Sequence, residues 1–585
     1  LFAIDSNRDG VINYTGSDSL IRLTRSVAQR DGLTVWRRRA EVWPTNGRDD
    51  PFEVATWDDA VDGTRSWQTV SGLTAISQRV ARGEGETVQT RTEPDGRVIE
   101  SWAIAGRPMG WRERHPQTGD LAGADFEYDA SGRLRQERDI RGRIMTYSYD
   151  GSDRLVAIVA PDPDPQAIGV GADPRITRFE FDTSGRVVTL THPDGRVVNC
   201  SYWPNGLLRR RWGSGAMPVE YGYDPQGRLV SLTTWRDFAG DQGKATTLWR
   251  YSNERGFLIG KSYADGMAGP AFTYSPAGRL VTRRWSRGVT TTYIYGPTGD
   301  LAGWDYSDST PRVRLERDRL GRILTREDGA GRSSQVFHAA TGLAEAETLS
   351  ASGLGSVTLN RSFDELVRVS RVGLSGVAAG PDTVYSYDPA SRVAAVALGD
   401  MSARYDFPVA SRAANALAFS AAGIARLKAT IESDRLDRIR SINYSLPEVP
   451  EAQWTFGLTR DRLGRLASVA REDGSRIDYS QDAAGRVRSE SWRSRDGTLM
   501  VGRQFAWSFD DVGNLQWSDR NAQTSFFTVN ALNQYVSRTV PGVIEVSGRA
   551  DLAATVTVES TPEEALPVPV LRQAKTFSGG WRSTT

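Results

Sequence analysis

The start of the chain has residues whose types and spacing match the first half of a calcium-binding loop. Side-chain oxygens occupy loop positions 1, 3 and 5, followed by Gly10 at position 6 and a backbone carbonyl at position 7. The candidate ligands are Asp5, Asn7, Asp9, the carbonyl of Val11, and Asp18. Position 12 is Gly16 instead of an acidic residue, and Asp18 follows two residues later. We expect a structural calcium site within 5–18, with an Asx-rich turn as the alternative.

The other reactive residue types do not have the spacing of a catalytic or metal-binding motif. His115, His192 and His338 are the only histidines, and their separations do not match those of zinc ligands. Cys200 alternates into a predicted strand, where we expect it to pack as a small residue, because a nucleophile needs a positioned base. Adjacent carboxylates would point to opposite faces of a strand. The sequence therefore predicts that this chain is not an enzyme.

A Tyr-Asp-x-x-Gly-Arg-Leu unit, here called the YD unit, recurs about every 21 residues and predicts a repeat architecture. The clearest copy begins at Tyr128, and looser copies replace Tyr by Phe or Leu by Val. The residues assigned to the recurring positions are Tyr128, Asp129, Gly132, Arg133, Tyr149, Asp150, Asp182, Gly185, Tyr223, Asp224, Gly227, Tyr387, Asp388, Asp461, Gly464, Asp482, Gly485, Asp510 and Gly513. So many copies cannot each be an active site, so we assign them a structural role.

The elements that hold the YD units are predicted to be β-strands. Apolar and polar residues alternate on both sides of each unit, with the two-residue period of a strand. Within the unit, the Asp side chain bonds backbone amides, and the Gly adopts the left-handed conformation that closes a type I turn with a bulge. A second type of turn, as in Pro94–Arg97 and Pro193–Arg196, separates successive units. Each period therefore predicts two strands of a continuous antiparallel meander.

The arginine of each YD unit is predicted to face away from the following Leu. In that position it pairs with acidic neighbours at the surface, an interaction of about 0–1 kcal/mol. A long meander also has two open edges and one apolar face, so it must coil, close or be capped. The predicted fold class is all-β, with the antiparallel meander of YD hairpins wound into a barrel-like sheet.

Composition limits the partners of the chain. Its 585 residues carry 73 basic and 72 acidic side chains, for a net charge of +1. Nucleic acid is disfavoured as a partner, because phosphate binding normally requires a basic surface. A single cysteine excludes an intrachain disulfide framework. The sequence has no apolar stretch of the about 18 residues that a membrane span needs.

Three regions are predicted along the chain. Residues 1–85 form a distinct, β-rich leading segment that docks onto the array, 86–520 form the YD-repeat array, and 521–585 form a trailing β-rich segment. Within the array, the Ala-rich stretch 394–433 is predicted to be a short helix or a degenerate repeat. The chain starts at Leu1 without a signal-peptide pattern, so we expect a fragment of a longer polypeptide.

The series of YD units resembles the RHS-repeat, or YD-repeat, family, which includes bacterial RHS proteins, the C components of insecticidal toxin complexes and animal teneurins. The resemblance implies a β-sheet that spirals into a hollow shell. Several bacterial members use the shell to sequester a C-terminal toxic domain, and teneurins use it as an adhesion scaffold. Bacterial members end the shell with an Asp-Pro-rich motif and often cleave themselves there. No such junction precedes Thr585, so we assign neither cargo nor self-cleavage to this chain.

From this resemblance we expect a structural shell, secreted or at the surface of a bacterium, that encloses a C-terminal part of a longer polypeptide. The alternative is an extracellular or cell-surface interaction module that binds carbohydrate or protein. The expected partner is accordingly the enclosed cargo domain or a surface ligand. Structural calcium is the only cofactor that the sequence predicts.

Overall fold

The chain folds almost entirely into β-strands, grouped in two compact units. The computed structural model describes residues 2–5, 11–12, 18–43, 51–161, 175–297, 299–338, 341–351, 353, 355–408, 410–541, 543–549, 553–556, 571–573 and 576–582. Unit 1 comprises Leu1–Ile144, Pro270–Thr430 and Leu446–Val449; unit 2 comprises Met145–Gly269, Ile431–Ser445 and Pro450–Thr585. Each unit thus combines one early stretch of the chain, called here its early segment, with two later stretches, called together its late segment.

The strands are short and follow one another closely. The early segments hold β1 (Phe2–Ile4), β2 (Ser19–Arg30), β3 (Leu33–Val42), β4 (Phe52–Ala60), β5 (Arg65–Val70), β6 (Leu73–Ala81), β7 (Glu86–Thr92), β8 (Val98–Ile104), β9 (Arg107–His115), β10 (Gly119–Tyr128), β11 (Leu134–Asp139), β12 (Ile144–Tyr149), β13 (Leu155–Ala160), β14 (Arg175–Phe181), β15 (Val187–Thr191), β16 (Val197–Tyr202), β17 (Leu208–Trp212), β18 (Val219–Tyr223), β19 (Leu229–Thr234), β20 (Ala245–Tyr251) and β21 (Leu258–Ser262).

The strands of the second half have similar lengths. They are β22 (Ala268–Tyr274), β23 (Leu280–Arg284), β24 (Thr290–Tyr295), β25 (Leu301–Tyr306), β26 (Val313–Arg317), β27 (Ile323–Asp328), β28 (Gly331–Phe337), β29 (Ala344–Ala351), β30 (Gly355–Phe363), β31 (Val369–Gly376), β32 (Thr383–Tyr387), β33 (Val393–Leu398), β34 (Met401–Asp406), β35 (Ala416–Ala421), β36 (Ile424–Ser433), β37 (Ile439–Leu446), β38 (Val449–Arg460), β39 (Leu466–Arg471), β40 (Arg476–Gln481), β41 (Val487–Arg493), β42 (Leu499–Phe509), β43 (Leu515–Arg520), β44 (Gln523–Val529), β45 (Tyr535–Arg538), β46 (Val543–Arg549), β47 (Leu571–Gln573) and β48 (Thr576–Arg582).

Strands that are consecutive in sequence pair antiparallel. In β2 and β3, for example, Val27 lies opposite Trp36, and in β10 and β11 Tyr128 lies opposite Leu134 across a bulge. The first 45 strands follow this meander order, whereas β46, β48 and β47 form a separate three-stranded sheet. In the described part of the chain, the single helical element is a 3₁₀ turn at Gly83–Gly85. The predicted all-β meander of YD hairpins is therefore confirmed.

Two details of the predicted organisation differ from the structure. The stretch 394–433 contains strands instead of the helix considered for it, since β35 is hydrogen-bonded to both β34 and β36. Pairing with these neighbours overrides the helix preference of alanine. The boundary predicted at residue 85 has no counterpart in the pairing, because β6 and β7 are paired on either side of it. Residues 1–85 therefore continue the same meander.

The most buried part of unit 1 lies near its start. Val35, Ala60 and Trp67 form a small apolar cluster on β3, β4 and β5. Asp58, also fully buried, receives hydrogen bonds from Arg30 and Arg37 beside this cluster. Most strand residues elsewhere in the described ranges are half-buried. None of the described helical segments has the length and apolarity to cross a membrane.

Candidate functional site

Each YD unit closes its hairpin with the same set of hydrogen bonds. In the turn 129–133, Asp129 Oδ1 accepts the backbone N–H groups of Ser131 at 2.9 Å and Arg133 at 3.0 Å. The Gly132 N–H donates to the Asp129 carbonyl at 2.9 Å, which defines the turn, and Gly132 has a φ of 80°. The Asp129 N–H donates to the Arg133 carbonyl and forms the bulge. The structure thus has the type I turn with a bulge that the sequence predicts.

The arginine of the unit binds the aspartate of its own turn. The Arg133 Nε donates to Asp129 Oδ2 at 2.8 Å, so one carboxylate accepts both backbone and side-chain donors. The same pair recurs in eleven described turns: 129/133, 139/143, 150/154, 182/186, 224/228, 318/322, 364/368, 388/392, 434/438, 461/465 and 482/486. In 510/514 an asparagine takes the place of the arginine.

These donors lower the pKa of several turn aspartates. Bonds from the backbone N–H and then the side chain of Arg186 hold the pKa of Asp182 below its ordinary value, with burial opposing them. For Asp150, the side chain of Arg154 is the largest cause of the lowered pKa. The carboxylates are therefore ionised at neutral pH and act as turn-forming acceptors, which is a poor state for a general acid.

The same arginines also contact the next YD unit along the array. Arg186 lies over the ring of Tyr202 at 4.8 Å, and its Nη1 donates to the Trp203 carbonyl at 3.4 Å. The Tyr202 hydroxyl in turn donates to the Val187 carbonyl at 2.7 Å. Equivalent stacked pairs are 154/181, 228/251, 279/295, 322/337, 368/387, 392/407 and 486/509. The sequence predicted only that the YD arginine pairs with acidic neighbours at the surface. It did not predict that the arginine joins consecutive units.

Three turns of this kind were not recognised in the sequence. Asp139, Asp318 and Asp434 each bind the arginine four residues later, but Arg or Ser precedes them instead of Tyr or Phe. In the last of them Asp437, with a φ of 62°, replaces the glycine. The spacing of Asp and Arg alone would have identified them, because it is the feature that the turn hydrogen bonds require.

Within each unit, the early segment contacts the late segment through its turns, and these contacts are called here the seam. In unit 1, the Ser391 Oγ donates to Asp95 Oδ2 at 2.7 Å. Glu113, which is buried, accepts hydrogen bonds from Arg97 at 2.9 Å and from Arg412. Further seam bonds run from the Ala410 N–H to the Asp120 carbonyl and from Arg319 to the Asp18 carbonyl. Ionic and backbone contacts both hold this seam.

Unit 2 has a seam of its own. The Arg175 Nε donates to the Arg462 carbonyl at 2.8 Å, and Arg196 donates to the Ala483 carbonyl. The Phe238 N–H donates to Asp511 Oδ2 at 2.8 Å, and the Asp511 N–H donates to the Arg236 carbonyl at 3.0 Å. The Arg236 Nη1 also donates to the Val529 carbonyl at 3.2 Å. Seam partners in both units are 269 to 301 residues apart.

The two residues of a seam contact are separated by an odd number of strands. Asp95 lies between β7 and β8 and Ser391 between β32 and β33, so 25 strands, β8 to β32, separate them. The Arg196–Ala483 contact is likewise separated by 25 strands, β16 to β40. Consecutive connections lie at opposite ends of the strands, so the turns form two rows, called here the two edges of the meander. Two connections that are separated by an odd number of strands therefore lie on opposite edges. Each seam therefore brings the YD turns of the late segment against the other edge of the early segment.

The predicted calcium site lies only partly within the described residues. Asn7 and Asp9 are outside them, whereas Asp5, Val11 and Asp18 are described. Asp18 is buried, and its carbonyl accepts the seam bond from Arg319. The described residues contain no group of three His, Cys, Asp or Glu side chains that could hold a metal ion. The calcium site stays a prediction.

His115 and Cys200 lie in surroundings that indicate a structural role for each. His115 is buried, with Nε2 at 3.1 Å from the Asp95 carbonyl, and its Nδ1 accepts the Gln117 N–H at 3.2 Å. Burial raises the pKa of the Cys200 thiol, and the charge of Arg211 opposes this only in part. A raised pKa leaves less thiolate, so the site does not favour a nucleophile.

These features define a tandem-repeat β-protein whose unit is a hairpin closed by an Asp–Arg turn. The family described as RHS Repeat matches residues 128–164. The predicted resemblance to the RHS/YD-repeat family is thereby confirmed over these residues.

Two curated relatives are toxins. The chain is 25% identical over 314 residues to the double-stranded DNA deaminase toxin A of Burkholderia cenocepacia (strain H111), covering 51% of this chain and 17% of that protein. It is 29% identical over 229 residues to the toxin protein Tse5 of Pseudomonas aeruginosa, covering 36% of this chain and 16% of that protein. The matched region is thus a minor share of both relatives.

Solved structures with some likeness include those of the TcdB2-TccC3 assemblies. The TcdB2-TccC3-Cdc42 crystal structure aligns with 99% of this chain and 34% of its own, at 12% identity and a TM-score of 0.46. The TcdB2-TccC3 crystal structure aligns with 91% of this chain and 36% of its own, at 11% identity and a TM-score of 0.40.

Proposed function

We propose that this chain is a structural, non-enzymatic wall of an RHS-repeat shell that encloses another part of a longer polypeptide. The observation that carries the proposal is the seam, in which connections 25 strands apart meet at opposite edges in both units. A meander that meets its own earlier edge again after 25 strands at these two contacts has the connectivity of a spiral wall.

The contacts of the YD units support a stiff wall. The Arg186 guanidinium binds Asp182 of its own turn and lies over Tyr202 of the next unit, so neighbouring hairpins are joined by side chains as well as by strand pairing. A bidentate or stacked arginine is held more firmly than an exposed ion pair. The wall would therefore act sterically, separating the enclosed segment from proteases and solvent.

We further propose that the enclosed part is a toxic domain and that the polypeptide is exported from a bacterium. Both curated relatives are named as toxins, and the region that matches this chain is about a sixth of each of them. A repeat wall without chemistry of its own is compatible with a separate region that carries the activity. The proposal assigns no catalytic residue to this chain.

Limited proteolysis of the natural polypeptide that contains this chain tests the function. We expect a region outside the wall sequence to resist protease while the wall is intact. The double variant Arg175→Gln/Arg196→Gln, which removes two side-chain bonds of the unit 2 seam, should shorten the lifetime of that region. Arg326→Gln is the matched control, because Arg326 pairs at the surface with Asp328 away from the seam.

The result that contradicts enclosure is equally direct. If the region outside the wall is digested at the same rate with the intact wall and with the seam variant, the wall does not protect it. That outcome would favour the competing function, an interaction module that presents its outer face to a carbohydrate or protein at the cell surface. Binding of the intact chain to glycans or cells would then be the next measurement.

A further inference from the structure

Unit 2 contains a cavity of about 640 Å³ beside its seam. Its walls come from the early-segment connections around Trp212 and Phe238 and from the late-segment strands β41 and β42. The lining residues that the argument uses are Trp212, Phe238, Arg488, Trp507, Phe509 and Asp511. This volume is within the about 300–1,000 Å³ typical of sites for small ligands, which are mostly apolar with a few placed polar groups.

Three side chains of the cavity have hydrogen-bond donors that remain available. In the described part of the chain, the indole N–H groups of Trp212 and Trp507 have no acceptor, and Arg488 is exposed without an acidic partner. Indoles elsewhere are satisfied, as for Trp235, which donates to Asp241 at 2.9 Å, and Trp285, which donates to Thr291 at 2.9 Å. An aromatic wall with free donors calls for a ligand with acceptors.

The two acidic side chains of the lining each accept a hydrogen bond from the protein. Asp482 binds the Arg486 side chain at 2.6 Å, and Asp511 Oδ2 accepts the Phe238 N–H at 2.8 Å. The guanidinium of Arg486 lies over the Phe509 ring at 4.8 Å and donates to the Asp510 carbonyl. In the described residues, Arg488 is thus the lining cation without an acidic partner, and Asp511 is a lining carboxylate whose side chain accepts a neutral N–H group.

The register of the strands puts this charge beside an aromatic ring. β41 and β42 are antiparallel, with Ser489 opposite Ala506 and Glu490 opposite Phe505. The same register places Arg488 opposite Trp507, and directly opposite residues have their side chains on one face about 4.5–5.5 Å apart at Cβ. A ligand carboxylate bound to Arg488 would thus lie next to the indole ring of Trp507 and its N–H group.

We propose that this cavity binds an aromatic carboxylate. The ring of the ligand packs among the aromatic walls formed by Trp212, Phe238 and Phe509. The carboxylate accepts hydrogen bonds from the Arg488 guanidinium and the Trp507 indole N–H. Two sources offer this chemistry, a small aromatic acid or the C-terminal aromatic residue of a polypeptide. Because both segments of unit 2 line the cavity, bound ligand bridges the seam and raises the melting temperature of the chain.

The test is titration of the whole chain with N-acetyl-L-phenylalanine, its primary amide, and a pentapeptide that ends in Phe with a free carboxylate. Tryptophan fluorescence and melting temperature are the readouts. We expect saturable binding, with the acid at least about tenfold tighter than the amide, because a charged hydrogen-bond partner is lost. Tighter binding of the pentapeptide than of the amino acid assigns the site to polypeptide termini, and the reverse assigns it to small acids.

Variants separate this role from a structural one. Arg488→Gln should remove the preference for acid over amide, and Trp507→Phe should weaken binding of the acid several-fold while keeping the ring. Arg503→Gln is the control, because Arg503 is on β42 but lies over Trp492, outside the cavity. Unsaturable binding, equal affinity for acid and amide, or an unchanged preference in a folded Arg488→Gln chain would overturn the proposal.

Discussion

The hydroxyl of Ser391 donates to Asp95 Oδ2 at 2.7 Å, although 296 residues separate the two in sequence. Ser391 stands where other YD turns have glycine, and its φ of 61° is in the left-handed region that disfavours side chains. The hydroxyl also accepts a hydrogen bond from Arg368 at 3.0 Å. Ser391 thus adopts a strained backbone conformation in its own turn and forms a hydrogen bond across the seam of unit 1.

Replacement of this serine by glycine should destabilise the chain in spite of the relieved strain. Ser391→Gly loses a hydrogen bond to a charged group, about 1.5–3 kcal/mol, and relieves about 1–2 kcal/mol of backbone strain. The greater backbone entropy that glycine loses on folding costs a further 0.5–1 kcal/mol, roughly. We expect a net loss of about 1 kcal/mol in the free energy of unfolding, measured with urea. A stabilised variant would mean that the Ser391–Asp95 bond contributes nothing to the fold.

Val367 provides the matched case without a seam bond. It occupies the same turn position with a φ of 61°, and a β-branched side chain is especially unfavourable there. Val367→Gly should raise the free energy of unfolding by about 1 kcal/mol, because glycine adopts this conformation without strain. The opposite signs of Val367→Gly and Ser391→Gly are the prediction. Equal signs would show that one of the two turns is not as described.

Arg392 should not tolerate lysine. Its Nε donates to Asp388 at 2.6 Å, its Nη1 donates to the Ser411 carbonyl at 2.7 Å, and it lies over Phe407. Lysine keeps the charge but not the planar fork, so Arg392→Lys should cost about 1–2 kcal/mol. Arg404→Lys is the control, because Arg404 is 78% exposed. Similar losses in the two variants would exclude a joining role for the YD arginine.

The buried carboxylate of Asp58 should be the most sensitive charge near the start of the chain. Arg30 and Arg37 both bind it at 2.7 Å, and it is fully buried. Asp58→Ala leaves two arginines without their partner, so we expect a loss of about 3–5 kcal/mol. Asp59→Asn, at a pair that is about half exposed, should change stability by less than about 1 kcal/mol. Calorimetric melting of both variants compares them directly.

The pH dependence of this region follows from the direction of its pKa shift. Burial alone would raise the pKa of Asp58, but the hydrogen bonds and charges of Arg37 and Arg30 outweigh it and leave the pKa lowered. A lowered folded-state pKa means that the contribution is fully present above the unfolded value of about 3.9 and is lost as pH falls through the folded value. The wild type should lose stability below pH 4 more steeply than Asp58→Asn. Parallel profiles would contradict the assignment.

Asp496 gives a second titration, at a turn on the surface. Hydrogen bonds from the Ser494 hydroxyl and then from the Thr498 N–H lower its pKa from 3.8 to about 2. Its stabilising effect should therefore be full above the ordinary value of 3.8, decline as pH falls below it, and be lost once pH has fallen through about 2. Ser494→Ala removes the largest cause and should raise the pKa toward its ordinary value. NMR titration of the carboxyl carbon measures both proteins.

The sequence predicts the local part of this structure well because the YD turn is a local device. Asp129, Gly132 and Arg133 lie within five residues, and their hydrogen bonds depend on spacing alone. The aromatic ring that each arginine contacts is 15 to 27 residues away. This contact follows from strand pairing, so spacing within one unit does not reveal it. Asp139 was missed although its spacing to Gly142 and Arg143 is the same as in the recognised turns.

The seam and the cavity have no signal in a single sequence. Arg196 looks like any other arginine of a Pro-Asp-Gly turn, and its acceptor is the carbonyl of Ala483, which every residue type possesses. Arg488 and Trp212 line one cavity only because a late strand returns beside an early turn. Contacts between residues nearly 290 positions apart depend on how many strands intervene, and a repeat pattern with degenerate copies does not fix that number.

The odd number of strands between seam partners imposes a parity rule on the evolution of the chain. Loss of one strand between Asp95 and Ser391 would bring like edges together, because every later turn would change ends. Loss of two strands, one whole hairpin, preserves the ends and only moves each partner to a neighbouring turn. Insertions and deletions in this protein should therefore be inherited as complete hairpins, so that the number of strands in a circuit changes by two.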